Sequence, residues 1–377
     1  MIRSQRPLLP LMFLTEKIKS LTIQFFSLLI MIYISVSASA DSIKELALNH
    51  SYAGNVSFEL AAGSFLSGDS DDCTVNSESD GWLTGNIPDD AIILDAYIFW
   101  SASYDPNGKS SDIDPNPHIN PDTQVTLNTV SLNATASNSY FANQNLGAHF
   151  YGGKAQALSV VGSTGLEAKK RYTLTDLDVY KNYGNGNGNG NENSDCEIVL
   201  GGWSLVVVYE HDDLPFQVTN IFDGYKPVFS NTGEIILRLS NFIVAPNPTG
   251  KHAHITFEGD PELGSTKENL KFQGTLLTDT YNQAHAQFNS VSNIYAGSTH
   301  STDTLGVDVD AYDISSYLSP GNTFVETSYE TGGDTVLLMA EVISVSNFPV
   351  ADLEVKTTAP QPMASEQQCD PKVYRHQ

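Results

Sequence analysis

Residues 197–210 read EIVLGGWSLVVVYE, a long apolar run carrying two glycines, one tryptophan and one serine. Two readings compete. Ser204 could sit on the strand–turn–helix elbow of a hydrolase, or the run could be one strand of a β-sandwich. An elbow needs the pattern G-x-S-x-G, because the turn is too tight for a side chain on either flank. Here Gly202 precedes Ser204, but Val206 stands where the second glycine belongs. Leu205 to Tyr209 are then strand formers, with no helix to follow. The strand reading wins, and Ser204 is a hydroxyl on a sheet.

The run also has a partner. VLGGWSLVVVYE (199–210) aligns without gaps on ETGGDTVLLMAE (330–341), matching Gly201-Gly202 to Gly332-Gly333 and Ser204 to Thr335. Three upstream pairs follow in the same order: TDLDVY (175–180) on YDISSY (312–317), QVTLNTVSLN (124–133) on NLKFQGTLLT (269–278), and AYIFW (96–100) on AHITF (253–257). Any one of these could reflect the common rhythm of short strands, but four in sequence point to a duplication. The glycine pairs are expected at the corner entering a late strand, through positive φ, a bulge or close backbone approach. Asp176 and Asp313 are expected to cap turns.

Elsewhere short runs rich in Val, Ile, Tyr, Phe and Thr alternate with Gly, Asn, Asp and Pro, and no long 3.6-residue periodicity follows residue 41. The fold class is therefore all-β, as two tandem jelly-roll-like β-sandwiches of similar topology. The first spans 41–210 and the second 211–348, with a junction within 211–233 and a flexible tail over 349–377. The tract GNGNGNGNEN (184–193) lengthens the first copy; it reads as an exposed insertion, with a ligand-gripping loop as the alternative.

Residues 1–40 have the features of a signal peptide. Arg3, Arg6, Lys17 and Lys19 lead into an apolar stretch from Leu21 to Val36, and Ala38-Ser39-Ala40 fits a cleavage site. An uncleaved anchor is the alternative, though the stretch is short for a membrane span. The expected location is secreted or cell surface, with no membrane insertion after signal removal. The net charge of −25 excludes nucleic acid and anionic lipid as natural partners, since both need basic patches. In an exported chain the three cysteines can oxidise. Cys73–Cys196 is the preferred pair, because Cys369 lies in the polar tail; closing that loop would stabilise by about 4–5 kcal/mol on the chain-entropy account.

Calcium is the expected cofactor. DIDPNPHINPD (112–122) places Asp112, Asp114, Asn116 and Asp122 at alternating positions, an oxygen-rich set that suits the ion. The loop lacks the sixth-position glycine and twelfth-position glutamate of an EF-hand, and its prolines hold it extended, so a plain solvated loop is the alternative. His252 and His254 share one face of a strand and could begin a zinc or copper site. Trp100 and Trp203 belong in the core. Trp82, in SDGWLTGN, is the tryptophan most exposed to a sugar ring.

LDAYIFWSA, the VTLN strand, GGWSLVVVYEHDDLPFQVTNIFDGY, ITFEGDPELGSTKENLKFQG and YETGGDTVLLMAEV together resemble the N-terminal head region of large bacterial secreted and cell-surface proteins. In those proteins the head precedes tandem β-sandwich repeats of a domain-of-unknown-function family. The resemblance covers roughly 52–347 and implies an adhesin-like or scaffold protein without assigned catalytic residues. The chain departs from the pattern in lacking the downstream repeats and a C-terminal sorting signal, which points to release or non-covalent association. The expected function is an extracellular interaction module that binds a cell-surface glycan or protein. A secreted carbohydrate-active hydrolase on the same scaffold is the alternative, since paired carboxylates cannot be located from sequence. If calcium binds the folded loop, saturating calcium must raise the melting temperature of the mature protein, and a chelator must lower it. An unchanged midpoint would rule the ion out.

Overall fold

The computed structural model describes residues 43–68, 74–83, 86–104, 121–134, 140–143, 149–180, 199–229, 232–259, 261, 267–333 and 335–348. The strands are β1 (Lys44–Gly54), β2 (Val56–Ser64), β3 (Leu66–Ser67), β4 (Thr74–Val75), β5 (Glu78–Trp82), β6 (Ile92–Tyr104), β7 (Gln124–Leu127), β8 (Val130–Asn133), β9 (Tyr140–Asn143) and β10 (His149–Gln156). They continue as β11 (Arg171–Thr175), β12 (Gly201–Glu210), β13 (Gln217–Phe229), β14 (Ile235–Ser240), β15 (Gly250–Phe257), β16 (Asn269–Phe272), β17 (Thr275–Leu276), β18 (Val307–Asp313), β19 (Phe324–Glu330) and β20 (Thr335–Ser346). Among the described residues, helix is confined to Leu158–Val161, Gly165–Ala168 and two short 3₁₀ turns. The fold is all-β.

Four sheets build the molecule, with β3 and β4 as a separate small ribbon. Sheet I has the order β5-β11-β7-β8, and sheet II the order β2-β12-β6-β10-β9. Sheet III runs β1-β13-β20-β15-β18, and sheet IV runs β14-β19-β16-β17. Three apolar cores lie between them. Trp100, Trp203, Leu205, Tyr172 and Leu127 fill the space between sheets I and II. Phe58, Val206, Val208, Phe257, Val309 and Met339 join sheet II to sheet III. Phe272, Val325, Tyr329, Val336 and Ile343 join sheet III to sheet IV.

The stack explains the opening run. A sheet with one wet face alternates apolar and polar residues, whereas a strand covered on both faces is apolar throughout. Strand β12 is buried along its length except at Glu210. Trp203, Leu205, Val207 and Tyr209 enter the first core, while Val206 and Val208 enter the middle one. Strand β20 is buried at every position. Its register slips against β15, which pairs Ile255 with Ala340 but Thr256 with Leu338. The slip swaps the faces: Val336 and Leu338 point to the outer core before it, Ile343 and Val345 after it.

The strand order is duplicated. Without β1, β9 and the β3–β4 ribbon, sheets II and III use the first, eighth, third and sixth strands of their halves; sheets I and IV use the second, seventh, fourth and fifth. Three of the four sequence alignments pair equivalent strands: β12 with β20, β6 with β15, and β7–β8 with β16–β17. The fourth does not, because 175–180 follows β11 while 312–317 follows β18. Residue registers also drift. Trp203 pairs with Trp100, but Phe257 pairs with Leu337 rather than with the aligned Asp334. Strand β1 lies before residue 210 yet pairs with β13, so sheet III draws on both halves of the chain. Residues 211–216 form the turn that connects β12 to β13.

Gly201 and Gly202 lie inside β12 with ordinary negative-φ backbone, so close approach and not a turn requires them. A Cβ on Gly201 would lie 2.4 Å from Val179, and one on Gly202 would lie 2.2 Å from Val307, which belongs to the other half. Gly332 and Gly333 are exposed in a bend before β20. Asp313 does cap its turn, accepting from Ser315 N at 2.9 Å. Asp176 instead adopts a left-handed φ of 59°.

Trp203 is fully buried and its indole donates to Ser79 Oγ at 2.9 Å. Ser204 is fully buried and donates to Ala61 O at 3.1 Å. Trp203→Ala is expected to cost about 3–5 kcal/mol in denaturant unfolding, and Ser204→Ala about 1 kcal/mol. Equal costs would overturn this division of roles.

Candidate functional site

The contact between sheets II and III encloses a polar chain. Strand β10 brings Lys154 across from sheet II, and β13 brings Asp223 from sheet III. Lys154 Nζ donates to Asp223 Oδ2 at 2.6 Å, and the two side chains are 6% and 1% exposed. The amine lies 5.0 Å from the Tyr97 ring centre and 5.7 Å from that of Phe99. His50, on β1, places Nε2 2.9 Å from Lys154 Nζ and Nδ1 3.0 Å from Tyr97 Oη. Its ring stacks on Tyr97 at 4.2 Å. Tyr97 Oη donates to Asp95 Oδ2 at 2.5 Å, and Tyr52 Oη donates to the same oxygen at 3.0 Å.

Donor counting assigns the histidine tautomer. An ammonium can only donate, so Nε2 accepts from Lys154 and Nδ1–H donates to Tyr97, whose own proton goes to Asp95. Burial, then the Lys154 charge, lowers the His50 pKa. Burial likewise lowers that of Lys154, against the opposing pull of Asp223. Burial, then the hydrogen bond to Asp95, raises that of Tyr97.

A cleft of about 480 Å³ opens between strands of both halves. Ser57 comes from β2, Gln217 from β13, Lys251 from β15, and Tyr312 and Asp313 from β18, with Thr249 and Ser315 beside them. Lys251 Nζ is held by Phe58 O at 3.0 Å and Glu59 Oε1 at 2.9 Å, and lies 4.7 Å from the Phe58 ring centre. Ser315 Oγ accepts from Gly250 N at 3.1 Å. Tyr312 and Gln217 are buried at the cleft floor, where the Tyr312 hydroxyl accepts from Gln287 at 2.7 Å and Gln217 Oε1 accepts from Ser344.

A third polar group is buried beneath sheet IV. His252 and His254 do share a face, but each meets a carboxylate: His254 Nε2 is 3.1 Å from Asp310 Oδ2, and His252 Nε2 is 3.5 Å from Glu341 Oε2. All four are fully buried. Thr327 donates to Glu341 at 2.7 Å and Gln287 to Asp310 at 3.2 Å. No group of three or more His, Cys, Asp or Glu residues able to hold a metal occurs among the described residues. Asp308 accepts from Asn289 N at 2.8 Å through Oδ1, while its Oδ2 has no hydrogen-bond partner. Burial, then Asp310, raises the Asp308 pKa well above the usual carboxylate range. The signal available in the sequence was GVDVDAYD, which sets acids on one face of a strand and valines on the other.

Of the expected site residues, Asp112, Asp114, Asn116, Cys73, Cys196 and Cys369 lie outside the described residues. Asp122 Oδ2 accepts from Tyr151 Oη at 3.1 Å and from Asp178 N at 2.6 Å. Trp82 is half-buried on β5, with the His300 ring stacked on its indole at 4.2 Å and its backbone N–H donated to Tyr295 Oη at 3.2 Å. It therefore pins the loop of the second half onto sheet I. No helix among the described residues is long and apolar enough to cross a membrane.

No family model matches the chain, and no curated protein matches it. Among solved structures it is similar to wild-type BuGH86 in complex with neoagarooctaose, at TM-score 0.23 and 10% identity, covering 83% of this chain and 35% of that one. The chain thus spans about a third of that protein's length. It is also similar to VP54 of PBCV-1 (TM-score 0.22, 10% identity, 79% and 96% covered). The major capsid protein P2 of bacteriophage PM2 follows (TM-score 0.21, 10% identity, 77% and 98% covered). Likenesses this remote carry no weight on fold or activity.

Asp308 gives a pH prediction. Its pKa is higher folded than unfolded, so its contribution to stability is full below the unfolded value and is lost as pH rises through the folded one. Asp308→Asn should therefore melt like the wild type near pH 4 and above it at pH 8. A variant that is less stable at both pH values would refute the assignment.

Proposed function

We propose that the mature chain is an exported interaction module of two jelly-roll-like sandwiches whose interface cleft binds a cell-surface glycan. The observation that carries this reading is the cleft lined by Ser57, Lys251, Asp313 and Ser315 above the buried Gln217 and Tyr312. Hydroxyls, an amide and fixed charges match a polyhydroxylated ligand, which offers donors and acceptors on every ring and little apolar surface. The rim is also rigid. Lys251 is held by two oxygens before any ligand arrives, so little side-chain entropy is lost on binding. The acidic surface suits the same extracellular setting. Calcium on the 112–122 loop and a Cys73–Cys196 bridge belong to this proposal as stabilising devices of an exported fold.

A glycan array with the mature protein should retain a defined set of oligosaccharides. Titration of one retained sugar should then weaken about tenfold or more in Lys251→Ala, the loss expected for one charge-assisted hydrogen bond. Absence of any retained glycan would overturn the proposal, as would unchanged affinity in the variant. Conversion of the bound sugar to shorter products would favour the hydrolase reading in its place.

A further inference from the structure

We infer that Lys154 and Asp223 join in an intramolecular isopeptide bond that ties the first sandwich covalently to the second. The geometry brings a primary amine and a carboxylate to 2.6 Å with almost no solvent access. The two residues sit on different sheets, so the bond would cross the middle core and not merely link neighbouring strands. Three further features distinguish this pair from the ion pairs Lys169–Asp89 and Arg171–Asp80, each of which has one exposed partner.

The first is the aromatic wall of Tyr97 and Phe99 beside the amine. A buried ion pair in apolar surroundings can relax to the neutral amine and neutral acid by moving one proton along its hydrogen bond, since low polarity disfavours both charges. The neutral forms are the nucleophile and the electrophile that amide formation requires. The second is a proton carrier in contact with the nucleophile: His50 Nε2 lies 2.9 Å from Nζ. The third is the support for that carrier, since Tyr97 and Asp95 hold the opposite ring nitrogen and fix the tautomer with Nε2 free to accept.

The step balances without any further reactant. Lys154 first passes a proton to Asp223, giving an amine and a carboxylic acid. The Nζ lone pair attacks Cγ, forming the C–N bond. His50 Nε2 takes a proton from the nitrogen and returns it to the departing hydroxyl. The Cγ–O bond breaks and one water leaves, with no change in oxidation state. Holding both groups in contact replaces a bimolecular encounter by an intramolecular one, which strongly favours a reaction that is slow in free solution.

Denaturing intact-mass measurement of the mature full chain tests this, with peptide mapping to fix its N-terminus. The wild type should be lighter than its linear sequence by one water, and a tryptic digest should contain a branched peptide joining Lys154 to Asp223. Asp223→Asn supplies an internal control, because attack on its amide expels ammonia and leaves the same product. Wild type and Asp223→Asn should therefore have identical masses, whereas linear chains differ by the Asp-to-Asn change. Lys154→Arg should show its full linear mass. His50→Ala, outside the bond itself, should slow cross-linking at least tenfold in a refolding time course. A wild-type mass equal to the linear chain, with no branched peptide, overturns the inference.

Discussion

The contact between sheets II and III is the constraint on which the rest of the molecule depends. Each sandwich could close its own core with its own two sheets, as Trp203 does in one and Tyr329 in the other. Burying a second face of sheets II and III turns two sandwiches into one four-layered stack. Residues such as Phe58, Phe99, Val206, Phe257, Val309 and Met339 then have no exposed side to spare. At roughly 25 cal/mol per Å² of apolar surface removed from water, fully burying each large side chain contributes about 1.5–3 kcal/mol. The contact also sets steric limits: no side chain fits at Gly202, because Val307 of the opposite sandwich occupies the place of its Cβ.

Polar groups inside such a stack cannot be incidental, because each must recover the hydrogen bonds it loses from water. The chain gathers its buried polar side chains into two groups. In the outer core of the second half, His252, His254, Asp310 and Glu341 are paired with one another and with Thr327 and Gln287. At the middle contact, Lys154 and Asp223 meet across sheets and are extended outward by His50, Tyr97, Asp95 and Tyr52. The first arrangement is only partly paired, since both His252 ring nitrogens and Glu341 Oε2 have no hydrogen-bond partner, and it reaches the cleft lining through Gln287 and Tyr312. The second reaches from a buried ion pair through the buried Tyr97 to the half-buried Asp95 and Tyr52.

The strands and their duplication were legible because both follow from side-chain period and composition. EIVLGGWSLVVVYE could be rejected as a hydrolase elbow from the missing glycine alone, and its continuous apolar character already matched a strand buried on two faces. The sequence could not say which two surfaces covered it. Register failed because a gap-free alignment carries one fixed offset: Phe257 pairs with Leu337, three positions beyond the aligned Asp334, and the one-residue slip at Met339 changes the offset again along the strand. The alignment of 175–180 on 312–317 failed because a D-x-x-x-Y pattern is too short to distinguish one turn from another. Trp82 was read as exposed from its polar neighbours. Its covering ring, His300, lies more than two hundred residues away in a loop of the other half. Lys154 and Asp223 gave no signal, since YGGKAQ and IFDGY are unremarkable as sequences. Their meaning comes only from the packing of one sheet on another.

That packing also explains why the cleft and the polar chain belong to the same contact without sharing a role. The cleft collects Ser57 from β2, Gln217 from β13 and Asp313 from β18, so its shape depends on how the two sandwiches sit against each other. Strand β13 supplies Gln217 at the cleft and Asp223 at the buried pair, and it is hydrogen-bonded to β1, which carries His50 and Tyr52. A displacement of sheet III along sheet II would therefore disturb both at once. Apolar contacts resist separation through the area they bury, but they are non-directional and oppose sliding weakly. Directional links across the contact, such as Lys154 to Asp223, resist sliding through geometry and keep the cleft rim in register while the rest of the interface supplies the free energy of association.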